Sequence, residues 1–591
     1  MLHELSIKGI SGPVWHIIHT MYQHNQSYII VGHVKSSGYE VRNGVREGAI
    51  LSPLLYILFL NMLLQQLRAV HGSGLQYGGM VFGALAFADD LVLIGQPRHL
   101  DPKGQYLQAL LKECDSFAQM HMLEYGHKKT KIVIFSPTGK HTQRWILRSM
   151  DTNNSAISHA DNYKYLGLLF SADLTWHKHI ATQVLPKVQS ALRLLRSNLV
   201  QSDVLSPATA VMVMNMMAVP KATYGSSIWA TSSFTNMPAA TVRTTKSDMQ
   251  GLEDAFTHTM RVILGLDRHA NRIATARELG WKGLALTYAK AKISLANIIV
   301  KQDSKQLPRM VFLAHAALEQ WDGETTCEHT HTSLRAPGMK SNYFIVDYLN
   351  IMTQIGAASI ARQAVAGGPA MTQKTQSAVQ KDMLVAAIVQ QLQEAFALTG
   401  SSAHYLACQP WEMMPDVAQI RNADMSLDFL GVVRMRTGGH ALGSTVTRET
   451  KPYHITEFCP MCISNTADTP SHTLHQCTHG DIAQARAAEG AQLQTHLRRQ
   501  IKGWGNLYDS ATTDGDKTVL LLQACSFEQS ETVRRETSTK LTGWLHKIQS
   551  KHRTYSQWTK GQNLGTLGYY APGKRGITSP DGTVQLPPLG R

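Results

Sequence analysis

A chain of 591 residues, 43% of them hydrophobic, is long enough for several domains with apolar cores. Lysine and arginine number 57 against 42 acids, and the resulting charge of +15 favours a polyanionic partner, nucleic acid before an anionic membrane. Seven cysteines over this length do not suggest a disulfide framework. No secretory signal is visible, and the most apolar window (51–64) is too short to cross a bilayer, so we expect an intracellular protein without a membrane span.

The N-terminal part begins with β-rich and helical patterns. The runs 27–34 and 38–45 predict two strands of a hairpin, separated by polar residues. Ser52 is suited to be an N-cap and Pro53 to the first helical position, so a helix is expected over 53–68.

A second hairpin is predicted at GALAFADDLVLIG (83–95), with Ala88, Asp89 and Asp90 at its turn. Another helix should start at Asp101, and its apolar face is formed by Leu107, Leu110, Leu111, Cys114, Phe117 and Ala118. The runs 131–135 and 163–170 predict further strands, which gives an α+β layout with helices packed on an antiparallel sheet.

The adjacent aspartates, Asp89 and Asp90, interrupt an apolar run. Neighbouring side chains in a straight strand point to opposite faces, whereas at a hairpin tip they can converge. Two carboxylates with open water positions form a hard-oxygen site suited to Mg²⁺, which could align a 3′-hydroxyl with a triphosphate in the two-metal scheme. An isolated Asp-Asp pair is more often an acidic surface turn, so the surrounding sequence must decide.

The surrounding sequence resembles a known family. FADD between apolar strands looks like the catalytic hairpin of reverse transcriptases, and GVREGAILSPLL (44–55) resembles the segment before it. Order and spacing agree over about 170 residues with the non-LTR, LINE-type retrotransposon group. The resemblance implies a partial reverse transcriptase palm and fingers over 1–170, followed over 171–300 by a helical thumb and post-polymerase region.

The resemblance also implies roles for single residues. Asp89 would be a Mg²⁺ ligand, with Asp90 beside it as the weaker assignment. Phe87 would pack near the incoming sugar. Lys129 or Lys131 would neutralise the leaving pyrophosphate, although a solvated charge run explains these lysines equally well. The template and incoming-nucleotide pocket would be lined by Gly44, Arg46, Gly48, Ser52 and Pro53.

Two departures from the family pattern stand out. Position 47 is Glu where the family usually has Gln, which changes the charge near the nucleotide. The family also places another metal-binding Asp upstream, in a segment that would end just before Met1. We therefore expect a truncated copy with an incomplete two-metal site, unless another chain supplies the missing Asp.

The middle of the chain is predicted to be helical. The segment 177–200 has helical spacing and displays Lys187, Arg193 and Arg196, which suits a thumb that follows phosphates, or else an ordinary solvated face. ELGW (278–281) resembles a landmark that follows the polymerase core in the same retrotransposons.

A connector is expected over 301–430. The Met-rich stretch 210–219, in the helical region before the connector, is interpreted as core. The segment CEHTHTSLRAPGMK (327–340), in the connector, is interpreted as a loop. Within the connector, 367–377 predicts a linker and 382–398 a helix.

Four residues near the C-terminus have metal-ligand spacing. Cys459, Cys462, His472 and Cys477 form C-x2-C-x9-H-x4-C, a closed ligand set typical of structural Zn²⁺, with His475 as a rival to His472. Together with the preceding RTGGH, the motif resembles the zinc knuckle of non-LTR retrotransposon proteins. We expect a zinc-knuckle-like module over 431–480, helices over 481–560 and a disordered tail over 561–591.

The predicted function is that of an RNA-directed DNA polymerase, a nucleotidyltransferase, from a non-LTR retrotransposon. Its partners would be an RNA template, a DNA primer and deoxynucleoside triphosphates, its ions Mg²⁺ and Zn²⁺, and its compartment, by resemblance, the nucleus. Two alternatives stay open: a non-catalytic nucleic-acid-binding remnant, and a host-adopted interaction protein that uses the thumb and the zinc knuckle.

Overall fold

The computed structural model resolves two compact units, each described below by itself. The first consists of Met1–Thr175, Ser304–Leu318 and Ser333–Met339, and the second of Trp176–Asp303, Glu319–Thr332 and Lys340–Arg591. The structure describes residues 2–23, 25–41, 44–46, 48–71, 74–77, 80–95, 104–126, 128–135, 146–149, 156–201, 207–230, 246–264, 266, 270–281, 283–318, 344–383, 462, 471–524, 531–551, 577–578 and 584–585.

Three helices open the first unit: α1 (Leu2–Ile7), α2 (Gly12–Tyr22) and α3 (Ser52–Ala69). They pack around a small core made of Leu5, Ile18 and Leu55. The helix predicted over 53–68 is therefore confirmed.

The start of α3 differs from the prediction. Leu51 rather than Ser52 is the N-cap, and Ser52 is the first helical residue. The Ser52 hydroxyl donates to the carbonyl oxygen of Arg46 instead of capping the helix. A nearby backbone acceptor thus replaces the expected cap.

The first predicted hairpin forms with a shifted turn. β2 (Ile30–Val31) pairs with β3 (Val34–Lys35), and β1 (Gln26–Ser27) pairs with β4 (Tyr39–Glu40) further out. The turn therefore lies at Gly32 and not at the polar residues 35–37. Gly32 has φ +61°, a left-handed conformation that only glycine adopts without strain.

Four strands follow α3 as two hairpins. β5 (Leu75–Tyr77) pairs with β6 (Met80–Phe82), and β7 (Ala84–Phe87) pairs with β8 (Asp90–Leu93), both antiparallel. The strand–turn–strand predicted for 83–95 is confirmed, although Asp90 begins β8 instead of lying in the turn.

Helix α4 (Gln105–His121) supports the β7–β8 hairpin and begins after Gly104, while 101–103 lie outside the described residues. The whole predicted apolar face is buried, and all of it except Ala118 belongs to one core with Leu63 and Leu67 of α3. Two glycines permit the close approach. A Cβ at Gly83 would lie 2.2 Å from the Tyr106 hydroxyl, and one at Gly95 2.7 Å from Cγ of Leu107.

The end of the first unit confirms a hairpin and corrects one strand prediction. The run 163–170, predicted as a strand from its pattern and as a hairpin by the family resemblance, is a hairpin of β9 (Asn162–Tyr165) and β10 (Leu168–Ser171), because Leu166 and Gly167 turn the chain with positive φ. The run 131–135 contributes only a single bridge, Ile132 to His159. In the described residues the sheets are small two-stranded ladders, so the expected α+β class holds but a single antiparallel sheet does not form.

The second unit is helical. Its elements up to residue 383, together with α13 of the first unit, are α5 (His177–His179), a π-helical segment (Ile180–Val184), α6 (Leu185–Gln201), α7 (Pro207–Met217), α8 (Val219–Thr223), α9 (Ser226–Trp229), α10 (Lys246–Ile263), α11 (Arg272–Glu278), α12 (Leu284–Lys301), α13 (Leu307–Leu318), α14 (Phe344–Gln354), α15 (Ala358–Val365) and α16 (373–383). A buried ion pair joins Lys292 of α12 to Asp347 of α14, and Lys292 also donates to the carbonyl of Ala230 (3.0 Å).

The predicted linker over 367–377 is wrong in its second half. Residues 373–377 begin α16, nine residues before the helix that was predicted from 382. Thr372 accepts from the backbone N–H of Thr375 (3.2 Å), and Asn297 of α12 bonds both Met371 and Gln376. A polar anchor therefore orders a segment whose composition suggested a loop.

The Met-rich stretch is core on one side only. Met214 is buried in α7, whereas Met212 and Met216 are 54% and 70% exposed. The expectation that 210–219 is simply core is therefore corrected.

The C-terminal part contains a π-helical segment (His472–Gln476), α17 (Gly480–Gln500), α18 (Trp504–Ser510), α19 (Asp514–Gln523) and α20 (Glu531–Lys551). A short ladder, β11 (Ile577–Thr578) with β12 (Val584–Gln585), lies in the predicted tail, most of which is outside the described residues. Among the helices that the structure describes, none has the length and apolarity needed to cross a bilayer.

Because the added methyl group would collide with Tyr106, Gly83→Ala should destabilise the β7–β8 hairpin and α4. We expect a loss of about 1–3 kcal/mol, the usual cost of overpacking a core. The free energy of opening, measured by native-state hydrogen exchange at α4 amides, tests this.

Gly126→Ala is the matched control for this substitution. Its nearest neighbours would be side-chain atoms of Lys129, at 3.7 Å and beyond, so a change below about 0.5 kcal/mol is expected. Equal effects of the two substitutions would contradict the close packing at Gly83.

Candidate polymerase site and metal cluster

Asp89 and Asp90 stand at the tip of the β7–β8 hairpin. The ladder ends with the pair Phe87–Asp90, which leaves Ala88 and Asp89 as a two-residue turn. Ala88 has φ +51°, a left-handed conformation that costs a residue with a Cβ about 1–2 kcal/mol. The two carboxylates and the Phe87 ring are exposed to solvent, so a strained turn presents all three at one end of the hairpin.

The charges of Asp89 and Asp90 affect the pKa values of two tyrosines in the first unit. Burial and, secondarily, the negative charge of Asp89 raise the pKa of Tyr56 on α3. Burial and then the charge of Asp90 raise the pKa of Tyr165 on β9. Each carboxylate therefore acts electrostatically on a different neighbouring element, and sequence reasoning had selected neither tyrosine.

The segment predicted to line the nucleotide pocket is shaped by two glycines and fixed by hydrogen bonds of Arg46. Gly44 and Gly48 have φ of +91° and +75°, which explains the two glycines. The Arg46 guanidinium donates to the side chain of Asn25 (3.1 Å) and to the carbonyl of Met21 (2.9 Å). In this structure Arg46 anchors the loop to the end of α2, and its role toward a nucleotide stays a prediction.

The remaining predicted residues differ in their surroundings. Pro53 is exposed in the first turn of α3, one residue beyond the bonded Ser52. Lys129 and Lys131 are both exposed, and Lys131 donates to the Ser158 hydroxyl (2.7 Å). Of the two lysines, Lys129 is the better placed to meet a solvent-borne anion.

The predicted basic helix forms, but its three cations are not equivalent. Lys187 and Arg193 are exposed on α6, while Arg196 donates to the hydroxyl of Thr259 on α10 (2.8 Å). Arg196 therefore braces two helices. The described parts of 176–230 contain no Asp or Glu, so this region has a uniformly positive character.

Three of the four predicted zinc ligands come together. Sγ of Cys462 lies 3.3 Å from Nε2 of His472, and the ligand atoms of Cys462, His472 and Cys477 all lie within 4.8 Å of one another. Cys477 and His472 are 0% and 2% exposed. Cys459 lies outside the described residues.

His475 does not join this group, which supports His472 as the ligand. Burial lowers the pKa of His475 to about 4, so its ring is neutral at physiological pH. Within the described parts of the chain, the Cys462–His472–Cys477 group is the only one of at least three His, Cys, Asp or Glu side chains placed to hold an ion.

The match to a family model falls on the first unit. Residues 2–170 match the family model described as reverse transcriptase (RNA-dependent DNA polymerase). The chain is 30% identical over 179 residues to the Retrovirus-related Pol polyprotein from type-1 retrotransposable element R2 of Nasonia vitripennis, covering 29% of this chain and 16% of that protein.

Two further relatives agree. The RNA-directed DNA polymerase from mobile element jockey of Drosophila funebris is 24% identical over 173 residues, 29% of this chain and 18% of that protein. The type-2 retrotransposable element R2DM polyprotein of Drosophila melanogaster is 31% identical over 152 residues, 25% and 13% of the two chains. The chain thus spans less than a fifth of the length of the relatives it matches.

Residues 2–170 are therefore a reverse transcriptase domain, of the RNA-directed DNA polymerase class. The three relatives are proteins of retrotransposable or mobile elements, so the predicted resemblance to such proteins is confirmed.

Removing one carboxylate should move the pKa of one tyrosine only. Asp89→Asn should lower the pKa of Tyr56 and leave the pKa of Tyr165 unchanged, because the charge of Asp89 raises only the former. Asp90→Asn should lower the pKa of Tyr165 and leave the pKa of Tyr56 unchanged. Burial should keep both values above 10.0, the ordinary tyrosine pKa.

NMR titration of ¹³C-labelled tyrosines measures these values, with Tyr56→Phe and Tyr165→Phe to assign the two signals. A pKa of Tyr56 that responds equally to both aspartate substitutions would contradict the placement of the tip.

Proposed function

We propose that this chain contributes the catalytic hairpin of an RNA-directed DNA polymerase of the non-LTR retrotransposon type. The single observation that supports it most is the pair Asp89–Asp90, exposed at the tip of the β7–β8 hairpin beside a turn strained at Ala88, within a reverse transcriptase domain. Its substrates would be a DNA primer, an RNA template and deoxynucleoside triphosphates.

The donor chemistry at the tip fits Mg²⁺, which prefers carboxylate oxygens and retained water. Asp89 and Asp90 would hold the ion, which when bound acts as a Lewis acid on the primer 3′-hydroxyl and the triphosphate. The exposed Phe87 ring, adjacent in the hairpin, would limit the space beside the incoming sugar. Lys129 would offer positive charge to pyrophosphate.

The proposal requires at least one further oxygen ligand. In the part of the chain that the structure describes, no third acidic side chain joins Asp89 and Asp90 in a metal-binding group. The additional carboxylate would come from residues outside this part, in the same polypeptide or in another one.

We also propose that Cys459, Cys462, His472 and Cys477 hold a structural Zn²⁺. The donor set observed for three of them, two thiols and an imidazole at a buried point, matches zinc chemistry. Closed four-ligand sites of this kind stabilise a fold and leave no position for a substrate.

A non-catalytic nucleic-acid-binding protein is the second candidate function. The observation in its favour is the acid-free stretch in the described parts of 176–230, where Lys187 and Arg193 are exposed on α6. Such a surface neutralises phosphates whether or not the hairpin supports chemistry.

Primer extension on an RNA template with Mg²⁺ tests the polymerase proposal. Asp89→Asn should reduce extension at least about 100-fold, as the loss of a single electrostatic stabiliser of a transition state does. Glu124→Gln, at an exposed acid elsewhere in the first unit, should leave the rate unchanged.

Wild-type extension no greater than that of Asp89→Asn would reject polymerase activity of this chain by itself and favour the binding function. Loss of extension in Asp89→Asn alone would establish the hairpin as catalytic.

The zinc proposal predicts one tightly bound ion per chain. Cys462→Ser should abolish stoichiometric binding, because a hydroxyl is a much poorer zinc ligand than a thiolate. Metal analysis and the thiolate charge-transfer absorption of the Co²⁺-substituted protein report this directly.

RNA binding of the same variant then separates the alternatives. A nucleic-acid-binding module should lose affinity for RNA with its zinc, whereas an interaction protein should not. Cys114→Ser, at a buried cysteine of the first unit, is the control that must retain the ion.

A further inference from the structure

The candidate zinc ligands belong to a larger apolar core. Leu474 and Cys477 are packed in one cluster of buried side chains with residues from all four C-terminal helices, and Cys462 packs against it. The helical members include Leu497 of α17, Trp504 of α18, Leu522 of α19 and Leu545 of α20. The ligands are thus one end of the core that α17 to α20 share.

The segment that bears two of the ligands has an unusual backbone. Residues His472–Gln476 form a π-helical turn, closed by the bond from Cys477 N–H to the His472 carbonyl (2.8 Å). π turns are rare and occur frequently at functional sites. Here the wider turn places the ring of His472 and the thiol of Cys477 at one point.

The same turn is tied to a helix start. Gln476 donates to the carboxylate of Asp514 (3.0 Å) in the first turn of α19. Thr513 and Asp516 close a capping box at that helix end. Movement of the π turn would therefore disturb α19 as well as the buried cluster.

The C-terminal helices are about the size at which a core alone supplies little net stability, and small folds often add a metal. A metal that binds only the folded state contributes its binding free energy to folding.

Resting on the zinc site proposed above, we infer that the ion controls the folding of α17 to α20. In this arrangement the site is not a free-standing knuckle that ends near residue 480. Zinc joins the π turn to the helices up to Lys551, and its removal releases them together.

Hydrogen exchange of the full chain, with and without a zinc chelator, tests this inference. Amides of α17 and α20 should exchange about 100-fold faster after zinc removal, if free zinc was held near 100 times its dissociation constant. Amides of α12, which do not share this cluster, should not change, and added zinc should restore the protection.

A matched pair of variants separates ligand loss from packing loss. His472→Ala should exchange in α17 and α20 like the metal-free wild type, with or without zinc. His475→Ala, three residues away in the same turn, should keep the full response to zinc.

Three outcomes are distinguishable. Zinc binding with zinc-dependent exchange in α17 and α20 supports the inference. Stoichiometric zinc with unchanged exchange in those helices overturns it and leaves the zinc site in place. Absence of zinc by metal analysis rejects the site, and the inference with it.

Discussion

The packing of the β7–β8 hairpin on α4 is the contact on which the first unit depends. A two-stranded hairpin is only marginally stable in water, so it needs a helix beneath it. Gly83 and Gly95 leave room for Tyr106 and Leu107 of that helix, and the hairpin can then extend Asp89 and Asp90 into solvent. The packing of the hairpin on α4 stabilises the strained turn at Ala88.

The second unit also combines a buried structural contact with exposed residues that can bind a ligand. Lys292 and Asp347 form a buried ion pair, and Lys292 also donates a hydrogen bond to the carbonyl of Ala230. Removing one partner of such a pair typically costs more than the pair contributes, since an uncompensated charge remains buried. The cations available to a polyanion are others, such as Lys187 and Arg193 on the outer face of α6.

Much of this architecture could be predicted from local sequence, for physical reasons. The apolar spacing of α4 and the position of Pro53 in the first turn of α3 are determined within a few residues, and both helices formed, with first residues that differ from the predicted ones. Errors occurred where a distant or competing partner decided the structure. Ser52 found a backbone acceptor at Arg46, and Asn297 ordered a segment whose composition resembled a linker.

The candidate sites show the same limit. Two adjacent aspartates and a Cys/His spacing can be found by inspection, because their chemistry is visible in the residue types. The partners of these groups come from other elements: Tyr56 on α3, Tyr165 on β9, and the helical core behind Cys477. Neither the influence of Asp90 on Tyr165 nor the π turn leaves a local periodic signal.

The β2–β3 hairpin has a practical consequence. Its ladder is two-stranded in the described residues, and Ile30, Val31 and Val34 are 67%, 74% and 74% exposed. Exposed apolar side chains favour association with other copies, and such association is opposed by the net charge of +15. Added salt screens that repulsion. The concentrated salt used to strip nucleic acid from a basic protein would therefore drive this one toward aggregation.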